Sequence, residues 1–248
     1  MVNGIVIGLF EILIWGLFSF GLRKKYPNLH DINCVSYYWF MITIITFVWE
    51  FSYISDYDEI SQYSDQLIEK QEHVWTNHYD LSYILPWKLA RIFYAEYGAY
   101  ADREYKALDI GWSKTVESSH ALFCGVFSIF CLLLKQAGNL RSFYITLGIS
   151  MGSQVMNSIL YMVEYYYQTI DQDNVNYNTP DFPTGTLYCK RAFMWVNIFW
   201  IVMPIYTIIY YLTEKRKFID YKKIDSKNPV CKTWDYENDQ IELKKFSS

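Results

Sequence analysis

A chain of 248 residues with a formal net charge of -4 has room for one domain with sizeable loops, and its charge balance gives no electrostatic reason to bind nucleic acid. Five cysteines, an odd number without a CxxC pair, argue against a disulfide scaffold; zinc-ligand spacing, a Gly-rich phosphate loop and a nucleophile elbow are also missing from the sequence. A mean hydropathy of -0.01 understates the apolar content, because polar loops dilute apolar runs whose ends gather Tyr and Trp, the residues of a membrane headgroup belt.

Five runs approach the roughly 20 residues that cross a bilayer as a helix. They cover about residues 5–22, with Glu11 inside, then 32–51, 114–134, 143–167 and 192–212. Helix is the required conformation, since lipid offers backbone groups no partner. Positive charge follows the first run as Arg23, Lys24 and Lys25 instead of preceding it, and no small-residue cleavage site stands out, so this run is expected to stay in the membrane. Pro204 inside the fifth run is expected to bend that helix or to break one of its hydrogen bonds.

Segment 55–112 is too long for a mere linker. Its second half reads either as an interfacial amphipathic helix starting near Pro86 or as a soluble loop with a short helix. After Tyr221 the chain is polar and without periodicity, the composition of a segment that is disordered on its own. The fold class expected is an all-α membrane protein, a five-transmembrane-helix bundle with an interfacial helix between the second and third spans. Its parts are a first helix with a basic loop (1–30), a membrane domain (31–213) and a polar tail (214–248). One set of loops carries Arg23, Lys24, Lys25, Lys135, Arg141 and Lys215–Lys217; the other holds 55–112 and the acidic 171–181 loop. The positive-inside rule puts the basic set in the cytoplasm or, for a mitochondrial protein, in the matrix.

Carboxylates inside such runs are site candidates by default. Glu50 ends the second run and Glu117 opens the third; threading brings both, with Glu164, to the acidic face, while Asn157, Asn197 and Trp200 lie somewhat deeper. Snorkelling charges gather at interfaces by chance as well, which is the bland alternative. Two carboxylates on one apolar cavity can divide the roles of proton donor and acceptor. Trp200 can stabilise a cation through its ring face, and Asn197 can orient a carboxylate or a ligand hydroxyl. His120, three residues after Glu117 and on the same helix face, either relays a proton or is an interfacial histidine bonded to Glu117. Glu11 has no partner in its own run; another helix, a partner subunit and Lys190 are the options. Cys124 and Cys131 share a helix face as packing residues, and His73 and His78 have poor spacing as co-ligands, so neither a metal nor a cofactor is expected.

At these residues the chain resembles the emopamil-binding protein family, within the wider EXPERA group that also holds the sigma-2 receptor. FVWEFSYI with Glu50 is similar to the end of that family's second helix, ADREY to its aromatic acidic segment, and ESSHA to the Glu and Ala that open its third helix. SMGSQVMNSILYMVE is similar to the next helix, with Asn157 in place of an Asp. Asn197, Trp200 and Pro204 reproduce an Asn-x-x-Trp-x-x-x-Pro motif. The similarity covers about residues 32–212.

What the resemblance implies is a sterol delta-8/delta-7 isomerase of the endoplasmic reticulum, or a relative that only binds. Glu50 and Glu117 would carry protons, with His120 beside them. Trp200 would shield the carbocation, and Thr46, Asn157, Asn197 and Trp200 would contact the sterol or other lipid. Active members carry a histidine where this chain has Thr46, whereas His120 stands where they have Thr: the histidine has crossed the cavity, or the function is lost. Lys190 and Arg191 replace apolar family residues and suggest a changed entrance or binding surface. The alternative is a non-catalytic subunit of a larger membrane complex, respiratory and in the mitochondrial inner membrane, with other subunits as partners. A small-molecule receptor like the sigma-2 receptor is the third reading.

Overall fold

The structure is a computed structural model that describes residues 1–103, 119–170 and 178–225, with side chains as far as 214. Glu117, the opening of the third span, most of the acidic 171–181 loop and the tail beyond 225 lie outside the described residues. The chain divides into two compact units, Met1–Thr207 and Ile208–Ser248, with the boundary inside the last helix. The site described below lies in the first.

Helix α1, Gly4–Lys25, starts at Asn3, whose Oδ1 accepts the Ile5 N–H at 2.9 Å, and ends on three basic residues that complement its dipole. It buries Gly4, Ile7, Glu11 and Ser19 and leaves most of its Leu, Ile and Phe side chains exposed, the inverse of a helix designed for water. A Cβ on Gly4 would lie 2.2 Å from the Val74 carbonyl oxygen, so the missing side chain is what lets the loop at Val74 close onto the helix start. Val2–Asn3 (β1) pairs antiparallel with His78–Tyr79 (β2) beside that contact. After the short α2, Pro27–His30, comes α3, Cys34–Ser55, capped by Asn33. Trp15 on α1 donates its indole N–H to the Met41 carbonyl (2.9 Å), and Tyr37 on α3 donates to the Ser19 carbonyl (2.7 Å).

The segment after α3 is a packed cap with a core of its own. Helix α4, Tyr57–Lys70, and helix α5, Pro86–Glu96, bury Ile60, Leu67, Leu89, Ala90 and Ile92 in one cluster with Ile7 and Tyr53 of the long helices. Helix α5 does start at Pro86, yet its apolar face is covered by protein. It runs into a π-helical turn, Tyr97–Ala101.

Helix α6, His120–Gln136, opens with a π-helical stretch, His120–Val126. A Cβ on Gly125 would lie 2.2 Å from Cβ of Phe47, so α6 approaches α3 more closely than any side chain at that position permits. Helix α7 is Leu140–Ile170 and helix α8 is Ala192–Asp225. Helix α8 continues through Pro204. The proline has no N–H for the Trp200 carbonyl four residues earlier, and Ser158 Oγ on α7 donates to that carbonyl at 3.3 Å instead.

Among the described residues α1, α3 and the Ala192–Glu214 part of α8 are long and apolar enough to cross a membrane, which associates the chain with one. Of the other two expected spans, α6 offers a shorter apolar helix, and α7 has the length but is diluted by Ser, Gln, Asn and Tyr.

Candidate functional site

A cavity of about 570 Å³ lies between α3, α5, α6, α7 and α8. That volume falls within the roughly 300–1,000 Å³ of small-molecule sites. Thr46 and Glu50 reach it from one face of α3, His120 from the first turn of α6, Asn157 from α7, and Asn197 and Trp200 from α8. Six of the seven candidates named from the sequence therefore share one wall; Glu117 is outside the described residues.

Glu50 is buried, 6 % exposed, and its Oε1 lies 2.7 Å from Nδ1 of His120. Its Oε2 is buried with no hydrogen-bond partner among the described residues. The histidine beside Glu50 thus comes from the facing helix. Thr46 turns its hydroxyl back onto its own helix, toward the carbonyls of Ile42 (3.1 Å) and Thr43 (3.0 Å). Glu117, the alternative partner for His120, lies outside the described residues. The His120 ring meets Trp200 edge to face, with centroids 5.4 Å apart. Trp200 in turn packs on Trp39 (4.9 Å). Trp39 donates to Oε1 of the fully buried Gln154 (2.7 Å), and Gln154 donates to Thr43 Oγ1 (3.2 Å). A hydrogen-bonded tie between α3 and α7 therefore fixes the ring that supports Trp200.

Of a second polar group on the wall, the sequence reading named Asn197 alone as a site residue, although Asp102 and Tyr161 lie inside the stretches quoted for the resemblance. Tyr97 and Tyr161 bring their hydroxyls within 3.1 Å of each other, and Tyr161 donates to Oδ2 of the fully buried Asp102 at 2.6 Å. Asn197 donates to the Phe193 carbonyl (3.1 Å) and lies beside the Tyr97 hydroxyl. Lost hydration, and then the charge of Asp102, push the Tyr97 phenol well above its ordinary range, so it stays protonated. Glu96 also borders the cavity. It holds the cap loop by accepting the Val74 N–H (3.0 Å) and contacting His73 Nδ1 (2.6 Å).

Two expectations need correction or completion. Arg191 does not form an exposed entrance: it is 1 % exposed, donates to the Tyr165 hydroxyl (2.7 Å) and lies over the rings of Tyr165 and Phe182. Its planar cation suits burial between aromatic faces, while its neighbour Lys190 stays exposed. Glu11 is buried and accepts the indole N–H of Trp49 on α3 (3.0 Å), so the partner is another helix. Cys124 and Cys131 are buried in α6. Among the described residues no group of His, Cys, Asp and Glu could hold a metal ion.

No family model, no curated protein and no solved structure matches the chain. The resemblance drawn above rests on the motifs quoted for it.

Proposed function

We propose that this chain is an emopamil-binding-protein-like integral membrane protein of five transmembrane helices, and that it binds a sterol-like lipid and shifts a ring double bond, as a sterol delta-8/delta-7 isomerase does. The observation that carries the reading is the Glu50–His120 pair at 2.7 Å with Trp200 against it, on the wall of one cavity. A carboxylate in contact with an imidazole beside a bound ligand is the geometry of a general acid–base pair, able to hand a proton to the ligand. Delivered to one alkene carbon, the proton takes the π electrons into a new C–H bond and leaves a cation on the neighbouring carbon. The π face of Trp200 offsets that charge. Loss of a proton from the next carbon restores the double bond one position along. Protons and electrons balance, and the reaction needs no cofactor. By resemblance Glu117 is the second proton carrier.

The test is conversion of a delta-8 sterol by the purified protein, followed by gas chromatography, beside rescue of a cell that lacks its own isomerase. Conversion and rescue are expected. If the sterol is returned unchanged and the cell is not rescued, the isomerase reading is dropped.

Thr46, standing where active relatives carry histidine, favours a second reading: a non-catalytic subunit of a larger membrane complex that keeps lipid in the inherited cavity. Co-purification with other subunits and bound lipid would support it; isolation as a free monomer would oppose it. The two readings also differ in address, endoplasmic reticulum against mitochondrial inner membrane, which microscopy of a tagged chain distinguishes.

A further inference from the structure

A second cavity, of about 340 Å³, lies in the cap and shares no lining residue with the site above. Its volume is at the low end of those of small-molecule sites. Tyr63 of α4, Tyr79 of β2, Tyr83 of the 3₁₀ turn Leu81–Ile84, Glu59 and Arg91 line it. The ring centroids of Tyr79 and Tyr83 are 5.1 Å apart, and the hydroxyls of Tyr63 and Tyr79 meet at 2.7 Å. Three aromatic side chains from three elements are thus joined into one wall.

The charge on this wall has a definite sign. Arg91 donates from Nε to Oδ2 of Asp56 at 2.7 Å, and its Nη1 lies 3.5 Å from Oε2 of Glu59. Two carboxylates meet one guanidinium, which leaves a negative charge in excess. Lys88 and Asp80 nearby add one charge of each sign. Aromatic faces with a negative surplus attract a cation and disfavour an anion. Lys88 shows the attraction within the chain itself. Its Nζ, held by Ser82 Oγ at 2.7 Å, lies 5.8 Å from the centroid of the Tyr83 ring, and Lys88 does not line the cavity.

The position of the cap narrows the choice of cation. Leu81 and Leu85 flank the Tyr83 turn, and together with Trp87 they are exposed although large and apolar. Ser52 donates to the Trp87 carbonyl at 2.7 Å, which ties this turn to the end of α3, the point where that helix leaves the bilayer. Exposed Leu and Trp side chains at the end of a span belong at the headgroup level. The organic cations of that layer are the choline and ethanolamine groups of phospholipids. A primary ammonium brings three N–H donors that need acceptors, whereas a quaternary ammonium brings none and is matched by ring faces.

We propose that the cap cavity seats the choline group of a bilayer phospholipid, with Tyr63, Tyr79 and Tyr83 around the quaternary nitrogen and Glu59 at the rim. The site is separate from the sterol-like reading of the larger cavity and stands or falls without it.

The experiment is native mass spectrometry of the full chain in detergent, titrated with phosphatidylcholine, phosphatidylethanolamine and phosphatidylglycerol of identical acyl chains. Phosphatidylcholine is expected to bind about tenfold more tightly than either of the others, the scale of a partly desolvated cation–π contact. Tyr83→Leu should remove the preference, while Tyr83→Phe, which keeps the ring and loses only the hydroxyl, should retain it. Should Tyr83→Leu fail to fold, Glu59→Gln changes a side chain that is 74 % exposed and should weaken phosphatidylcholine by about threefold without weakening the other two. Equal binding of the three lipids to the unaltered chain overturns the proposal, and so does loss of the preference in Tyr83→Phe. Displacement of the lipid by equimolar free phosphocholine would assign the site to a soluble ligand and overturn its assignment to the bilayer. Cholesterol at saturation should leave phosphatidylcholine bound; displacement would put that lipid in the larger cavity and overturn the proposal as well.

Discussion

The two polar groups on the cavity wall are built on opposite plans. Around Glu50 a carboxylate faces an imidazole across 2.7 Å, one carboxylate oxygen has no partner among the described residues, and two tryptophan rings stand behind. Around Tyr97 the carboxylate of Asp102 accepts from Tyr161, whose hydroxyl lies 3.1 Å from that of Tyr97. The first arrangement sets a carboxylate against an imidazole in direct contact, so a proton could pass between them with little movement of either helix. The second resists any change, because the phenol of Tyr97 stays neutral over the ordinary pH range. A cavity that carries both can hold a molecule at one point and act on it at another.

The largest effect expected from breaking this contrast is at Glu50. Glu50→Gln keeps the shape and removes the proton carrier, so kcat should fall by about 10²–10⁴-fold, the usual weight of one general acid–base group. Sterol binding should change far less, and parallel turnover and binding measurements separate the two. A fall in affinity as large as the fall in kcat would mean that Glu50 binds and does not transfer. Trp200→Leu is next. Loss of a desolvated cation–π contact is worth about 2 kcal/mol, which is about 30-fold in kcat with little change in KM. An unchanged kcat would remove the cation from the mechanism.

Much of the first group was legible in the residues, and the second was nearly silent, for a physical reason. Glu50 and Asn197 announce themselves because charge and amide groups in an apolar run are expensive and have few structural uses, and helical threading then puts them in one half of the bilayer. The pairing of Glu50 with His120 has no such local signal. It depends on α6 approaching α3 through Gly125 against Phe47 and on a π-helical first stretch, neither of which leaves a pattern in the sequence. Asp102 and Tyr161 lie inside the ADREY and SMGSQVMNSILYMVE stretches, but nothing in either stretch pairs them with each other or with Tyr97; tertiary packing does that. The same holds for the cap: the start of α5 was readable at Pro86, but that α3 and α4 would cover its apolar face was not. Arg191 misled in the opposite direction: as a cation in place of an apolar family residue it suggested a changed entrance or binding surface, and here it lies against two rings.

Gly125 offers a way to loosen the first group without touching its chemistry. In Gly125→Ala the new methyl would overlap Phe47, and the two helices must part. Overpacking of this kind costs about 1–3 kcal/mol. The variant should melt at a lower temperature in detergent and lose turnover as His120 withdraws from Glu50. Gly148→Ala is the control, because a Cβ there meets nothing within 4 Å. It should be neutral or slightly stabilising, since alanine favours helix over glycine by about 0.5–1 kcal/mol. If both variants melt alike, close approach at Gly125 is not what holds α6 to α3.

The smallest effect concerns the second group and its pH dependence. Tyr97 is raised above its ordinary value of 10.0 by lost hydration and by Asp102, Tyr79 by burial and its bond to Tyr63, and Tyr100 by burial and Glu96. In the unfolded chain these phenols lose their protons near pH 10; in the folded chain they keep them. Above that pH the folded state binds more protons than the unfolded state, so stability falls as pH rises. Their contribution is therefore fully present below about pH 10 and is lost progressively above it. Denaturation in mild detergent at pH 8, 10 and 11 should show a flat first interval and a decline in the second. Tyr97→Phe should make that decline shallower, because it removes one of the protons that the fold retains. A decline of the same steepness in the variant would mean that Tyr97 ionises as readily in the fold as outside it, and the neutral phenol at this end of the comparison would not stand.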